Sequence, residues 1–196
     1  MKIVQAPDPV LSQTAKPVEK IDKNIKQLLK DMEQALVSQV DPEGVGLAAP
    51  QVGKSLQIFI VKEGHDTPLL TFINPVIKKT FAKPKEKAAE VKQSDTAAKA
   101  KKKAKVDKGV QLEGCLSLKD IWGVVKRPYG LVLEYQDEDG KQHEKTFNGF
   151  LATIIQHEQD HLLGTLFPKR VLEQKNMLYH SEKNKKGEIE FEEIEI

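Results

Sequence analysis

The stretch Gln156-His157-Glu158-Gln159-Asp160-His161-Leu162-Leu163-Gly164 constrains this chain more than any other. It contains His-Glu-x-x-His, and on a helix positions i and i+4 share one face, about one turn apart. His157 and His161 can therefore offer two imidazole nitrogens to one metal ion. Glu158, beside the first, can reach a water molecule as general base. The neighbouring residues favour the helix. Asn148 suits an N-cap, and Phe150, Leu151, Ile154, Ile155 and Leu162 recur at helical spacings. Gly164 predicts the end, with Pro168 soon after. The same pattern also suits a half-buried helix whose histidines merely bond to neighbours, so other residues must decide between them.

Two histidines leave a zinc-like catalytic site one protein ligand short, because such sites usually join three protein ligands to one open position. Among 196 residues there is one cysteine, Cys115. It cannot form an internal disulfide, which fits a reducing compartment. It lies in Glu113-Gly114-Cys115-Leu116-Ser117, where Gly114 keeps its neighbourhood open, and a thiolate binds divalent transition metals strongly. His180 and the tail glutamates are weaker candidates, since His180 follows the motif at no standard spacing.

A third compact stretch, Gly44-Val45-Gly46-Leu47-Ala48-Ala49-Pro50-Gln51, follows the turn signal Asp41-Pro42-Glu43-Gly44. Its small residues let something approach the backbone closely, or make a tight turn into a strand. Gln51 is the polar group able to donate at its end. The stretch lacks the third glycine and the strand–helix context of a dinucleotide loop.

The chain length suits one domain, or one domain with extensions. A Pro-punctuated lead-in precedes a helix of about 17 residues capped by Asp22, with Ile25, Leu28, Leu29, Met32 and Leu36 on its apolar face. Strands are predicted at 57–61, at 68–77 up to a stop at Asn74-Pro75, at 122–126 and at 130–136. The last turns through Asp137-Glu138-Asp139-Gly140 into a return strand at 141–147. The tail from Val171 opens with an amphipathic turn or two. It ends in an acidic alternating strip, 188–196, that can extend a sheet edge or stay loose.

Residues 82–110 differ in composition: ten lysines against four acids give a net 10 − 4 = +6, while the whole chain is +2. The remainder is thus 2 − 6 = −4, so the basicity belongs to this segment. With few large aliphatics it is expected to be a mobile, solvated insertion. No aromatic or glycine pattern accompanies the lysines to make it a nucleic-acid site. No run of 18 or more apolar residues marks a membrane span, and the N-terminus lacks a signal-peptide core, so a cytoplasmic protein is expected.

The three stretches, in this order, resemble the signature motifs of peptide deformylase over most of residues 1–168. The resemblance implies an α+β fold, with antiparallel sheets packed around a central metal-binding helix carrying His-Glu-x-x-His and a second, N-terminal helix. It implies a catalytic domain over 1–168, interrupted by the insertion at about 82–110, and a C-terminal extension over 169–196. It implies removal of the N-formyl group from the initiator methionine of nascent polypeptides, releasing formate. Metal-bound water would attack the formyl carbon with Glu158 as general acid/base. Cys115, His157 and His161 match the family's metal ligands, for one divalent ion: Fe(II) in the cell, with Zn, Ni or Co in a purified sample. Gln51 and the backbone N–H of Leu116 match its oxyanion donors. Glu113 matches a carboxylate that pairs with an arginine, here Arg127, and Gly46 lies where the substrate peptide pairs like an added strand.

Val45, Phe150 and Ile154 would line the methionine pocket, and Gly114 would adjoin the peptide. The expected partner is an N-formylmethionyl peptide, with a transient ribosome contact, no membrane and a monomeric chain. One departure stands out: some family members carry Arg where this chain has Trp122, which bears on contacts to the peptide beyond its first residue. Two other classes remain open at this point. One is a zincin-type endopeptidase sharing the helix motif; the other is an RNA- or ribosome-binding protein working through the lysines.

Overall fold

The computed structural model describes residues 1–41, 43–64, 66–84, 112–184 and 187–195. The lysine-rich stretch expected to be a mobile insertion falls outside the described residues, except for 82–84. The elements, in order, are α1 (Lys23–Val37), β1 (Gly46–Ala48), β2 (Ile58–Val61), β3 (Leu70–Phe81), β4 (Glu113–Cys115), β5 (Leu118–Gly123), β6 (Gly130–Gln136), β7 (Gln142–Asn148), α2 (Gly149–Leu162), α3 (Phe167–Glu173), β8 (Leu178–Lys183) and β9 (Ile189–Glu193). Short 3-10 turns occupy Pro9–Ser12 and Ala49–Val52.

The strands form two antiparallel sheets, β1-β2-β3-β6-β7 and β4-β5-β8-β9. The architecture is α+β, with the His-Glu-x-x-His motif on α2 and α1 as the N-terminal helix. β2 explains the layering. Its residues Ile58, Phe59, Ile60 and Val61 are all fully buried, because both faces of the sheet are covered. Ile58 and Ile60 pack with Leu28, Leu29, Met32 and Leu36 of α1. Phe59 and Val61 face the other way, toward Ala152, Ile154 and Ile155 of α2. A third cluster, Phe167, Val171 and Leu178, closes the smaller sheet.

Local chemistry sets the element ends. The Asp22 side chain accepts from the N–H groups of Asn24 and Ile25 at 2.9 and 3.0 Å, capping α1. Asn148 stands at the N-cap of α2, but its side chain makes no cap bond, since its backbone still pairs with Gly130 at the end of β7. Gly164 leaves the helix at φ +66°, which a side chain would resist.

Two expectations need correction. β3 does not stop at Asn74-Pro75 but runs to Phe81 through a register shift between Ile73 and Val76. Asn74 adopts φ +50°, and the irregularity accommodates a proline without an N–H. The Asn74 side chain accepts from Val18 N–H at 2.7 Å and donates to Val18 O at 2.8 Å, fastening the lead-in to the sheet. The strand expected at 122–126 begins earlier, at Leu118, and ends at Gly123. Beyond it, side chains replace strand partners: Lys126 N–H donates to Gln174 Oε1 at 2.7 Å, and Asn176 Nδ2 donates to Val124 O at 2.8 Å.

Phe72 sits at the centre of an aromatic group, 4.8 Å from Phe59, 4.7 Å from Tyr135 and 5.7 Å from Phe147 between ring centroids. Phe72→Ala should lower unfolding free energy by about 3–5 kcal/mol through lost contacts and a residual cavity. Urea unfolding followed by circular dichroism checks this; a midpoint within error of the unaltered protein would contradict the packing.

Candidate metal centre and substrate cavity

The motif helix is buried almost all round: Gln156, His157, Glu158, Asp160 and His161 are each at most 9% exposed. Helical spacing brings His157 and His161 together edge to face, with ring centroids 4.9 Å apart and planes at 75°. β4 brings Cys115 to them, and the ligand atoms of Cys115, His157 and His161 lie within 4.8 Å of one another. Cys115 Sγ is 3.2 Å from His161 Nε2. One thiol and two imidazoles form a donor set suited to a divalent transition metal. Among the described residues, this is the one group of at least three acidic, histidine or cysteine side chains arranged to hold an ion.

The ligand orientations have visible causes. His157 Nδ1 is 2.7 Å from Glu113 Oε1. Burial pushes the Glu113 carboxyl up, but hydrogen bonds from Arg127 and His157 outweigh it and hold its pKa at about 2. Glu113 is thus a carboxylate that only accepts, so Nδ1 carries the proton and Nε2 faces the metal position. Burial opposes charge on His157, yet bonds to Cys115 and Glu113 hold its pKa well above the usual value. Burial and the neighbouring His157 push His161 well below it. His161 Nδ1 is buried without a partner among the described residues.

Glu158 packs against the backbone of β1. A Cβ on Gly46 would overlap the Glu158 carboxylate and come within 2.9 Å of Ile154 Cγ2, so only glycine permits this approach. Burial raises the Glu158 pKa to about 7, and one carboxylate oxygen, Oε2, is without a partner among the described residues. The Gln51 amide is oriented by Ala48: the Ala48 N–H donates to Gln51 Oε1 at 2.8 Å. Nε2 therefore points inward, 3.5 Å from Cys115 Sγ and 3.3 Å from Ser117 Oγ. Leu116 follows Cys115, its carbonyl accepting from Gln5 Nε2 at 2.9 Å.

A cavity of about 530 Å³ opens onto these groups. Val45, Gly46, Ile154 and Phe150 line it on the β1–α2 side; Ile154 is buried, whereas Phe150 lies at the rim, 46% exposed. Glu113 and Gly114 line it on the β4 side, together with Arg127 and Trp122. The cavity lining thus includes all the site residues expected from the resemblance except His161, which lies beside Cys115 Sγ. His180, the weaker ligand candidate, pairs with Ile121 in the smaller sheet and is not part of the Cys115, His157 and His161 group.

Sequence reasoning missed part of the support. The Arg127–Glu113 pair that the resemblance implied is present and bidentate, both bonds 2.7 Å, but Arg127 also reaches Asp160 at 3.1 Å, which was not foreseen. Arg170 of α3 joins the other side of Asp160 at 2.7 Å. The signal was available: an acid three residues after His157, on a helix apolar on its other faces, requires a cationic partner. Ser117, fully buried beside Gln51, carried no such signal.

Residues 1–177 match the family model described as polypeptide deformylase. A peptide deformylase of Rhizobium meliloti (strain 1021) is 38% identical over 168 residues, covering 84% of this chain and 81% of that one. Among solved structures, a peptide deformylase from Synechococcus elongatus superposes with a TM-score of 0.67 at 34% identity, covering 87% of this chain and 78% of the other. One from Thermotoga maritima gives 0.67 at 32%, covering 86% and 95%.

Cys115→Ala should remove one of three donors and with it most of the bound metal. Elemental analysis of the dialysed variant beside the unaltered protein measures this; a full metal equivalent held with unchanged affinity would refute the ligand set.

Proposed function

The chain belongs to the polypeptide deformylase family, hydrolases that remove the N-formyl group from nascent peptides, and from that premise we propose how its own residues carry out the reaction. One observation supports the reading above all. A Cys/His/His donor set, a buried carboxylate raised to about 7 and an inward-pointing amide meet at one cavity.

The family is metal-dependent. In this chain Cys115, His157 and His161 hold one divalent ion, Fe(II) in the cell, with Zn, Ni or Co replacing it in a purified sample. When bound, the ion supplies Lewis acidity, which makes water a nucleophile at neutral pH. Glu158 accepts a proton from the attacking water, and a pKa of about 7 suits it both to take that proton and to give it back. The water oxygen bonds to the formyl carbon. The bond from that carbon to nitrogen then breaks, Glu158 returns the proton to the leaving amine, and formate departs. Gln51 Nε2 and the Leu116 N–H donate to the formyl oxygen as it gains charge. Loss of one such donor typically costs ~100- to 1000-fold in rate. Arg127 neutralises Glu113, which keeps His157 turned to its task.

The N-formylmethionyl peptide lies between the exposed edges of β1 and β4, pairing like an added strand at Gly46 and at Glu113-Gly114. Val45, Ile154 and Phe150 receive the methionine side chain. Residues 1–168 carry the chemistry, with 82–110 as an insertion and 169–196 as an extension. The chain works as a monomer in the cytoplasm, whose reducing conditions suit a thiolate ligand, and meets its substrate in transient contact with the ribosome. No helix among the described residues is long and apolar enough to cross a membrane.

Metal-loaded protein should release formate from a formyl-Met peptide and leave an unformylated peptide uncut; cleavage within the unformylated chain would favour an endopeptidase instead. Glu158→Gln should keep the metal and lower turnover by ~100-fold or more, since Gln cannot take up a proton. Near-normal turnover with metal bound would remove Glu158 from the mechanism.

A further inference from the structure

Trp122 is the chain's one tryptophan, and the deformylation chemistry leaves it without a task. In β5 it stands opposite Gly114 of β4 on one side and Tyr179 of β8 on the other. Its ring covers Gly114 so closely that a Cβ there would stand 2.8 Å from Cζ3 and 2.9 Å from Cε3. The ring also borders the substrate cavity. Two residues of the C-terminal hairpin hold it. The indole N–H donates to Ser181 Oγ at 3.0 Å. Phe191 packs edge-on, with centroids 6.1 Å apart and planes at 89°. Ser181 and Phe191 are register partners across β8 and β9, so one rung of the hairpin supplies both contacts.

This arrangement fixes what the ring can offer a peptide. Its donor is already engaged by Ser181, so toward the cavity it presents carbon. It lies over Gly114, one residue from Cys115 along β4. A peptide pairing with that edge advances about 3.3 Å per residue, so it meets the ring one or two residues beyond the reacting bond. The methionine side chain is provided for elsewhere, against Val45, Ile154 and Phe150.

We propose that Trp122 is a specificity-determining residue, an apolar wall for the two side chains that follow formyl-methionine, and that Ser181 and Phe191 are the positioning residues that set it. The enzyme then favours nascent chains with apolar rather than small polar residues at those positions, and the C-terminal hairpin forms part of the substrate groove. This rests on the deformylase reading above.

Three substrates separate the effects: formyl-Met-amide, formyl-Met-Leu-Leu-amide and formyl-Met-Ser-Ser-amide. The unaltered metal-loaded enzyme should favour the Leu-Leu peptide over the Ser-Ser peptide in kcat/KM. Trp122→Ala should reduce that preference by about three- to tenfold, the scale of a lost aromatic contact, with the change in KM rather than kcat. Its loss on the Leu-Leu peptide should exceed its loss on formyl-Met-amide by the same factor. Ser181→Ala and Phe191→Ala should shift the preference the same way by less, while Ser181→Thr, which keeps the hydroxyl, should restore it.

A second readout needs no turnover. Emission from the sole tryptophan should move to shorter wavelength when the product Met-Leu-Leu-amide is added, and not with Met-amide. This titration, with Ser181→Ala and Phe191→Ala, decides the matter even if Trp122→Ala does not fold. An unchanged Leu-Leu over Ser-Ser ratio in Trp122→Ala, or emission indifferent to the product peptide, overturns the wall. An unchanged ratio in both hairpin variants overturns the positioning role. If the unaltered protein releases formate from none of the three, the deformylase reading fails and this inference falls with it.

Discussion

The run of charges from Glu113 through Arg127 and Asp160 to Arg170 is the interaction on which the site depends. Helix α2 carries Gln156, His157, Glu158, Asp160 and His161 into the molecular interior. Taking such groups out of water is costly unless each finds a partner of opposite charge or a hydrogen bond. Arg127, its side chain 7% exposed, answers two of the acids at once. It thereby ties β4 of the smaller sheet to α2 of the larger one. Cys115 is two residues from Glu113, and His161 is one residue from Asp160. The bonds that satisfy the buried charges therefore also fix the distance between the thiol and the imidazoles. Removing one partner of such a buried pair typically costs about 3–5 kcal/mol, because the other is left uncompensated.

Around that polar seam the molecule is ordinary in its physics. β2 is sandwiched between α1 and α2, and its four residues divide between the two layers by alternation. The aromatic group around Phe72 shares one core cluster with Ala152, Ile154 and Ile155 of α2. This apolar support lets the helix keep a carboxylate oxygen of Glu158 and a nitrogen of His161 without partners among the described residues. An unsatisfied buried polar atom costs about 1–3 kcal/mol, so such atoms persist only where the surrounding packing more than offsets them.

The sequence made legible what depends on spacing within one element. His157 and His161 were placed by helical period, Cys115 by the need for a third ligand, and α1 by its apolar stripe and the Asp22 cap. The α+β architecture was legible only through the family resemblance that the three motifs carry, not from composition or element order. What it concealed depends on long-range partners. Asn74-Pro75 has the local signature of a strand end, and only the Val18 backbone, 56 residues away, shows why β3 continues. The place of Asp160 in the motif calls for a cation, but that the cations are Arg127 and Arg170 shows only in the fold.

The tail shows the same limit most clearly. Its acidic alternation suits an edge strand or a loose end, because neither its glutamates nor the four apolar residues among them decide between the two. Pairing with β8 settles it: Tyr179 through Lys183 register against Glu193 through Ile189. The glutamates on β9 suit its place at the outer edge, where charge discourages another chain from adding to the sheet. Phe191 is the half-buried exception among them, and it is the residue turned to Trp122. An edge strand needs charge outward for solubility and one apolar grip inward to stay attached. Here the grip falls on a cavity-lining ring, so the contact that fastens the tail to the sheet also shapes the groove.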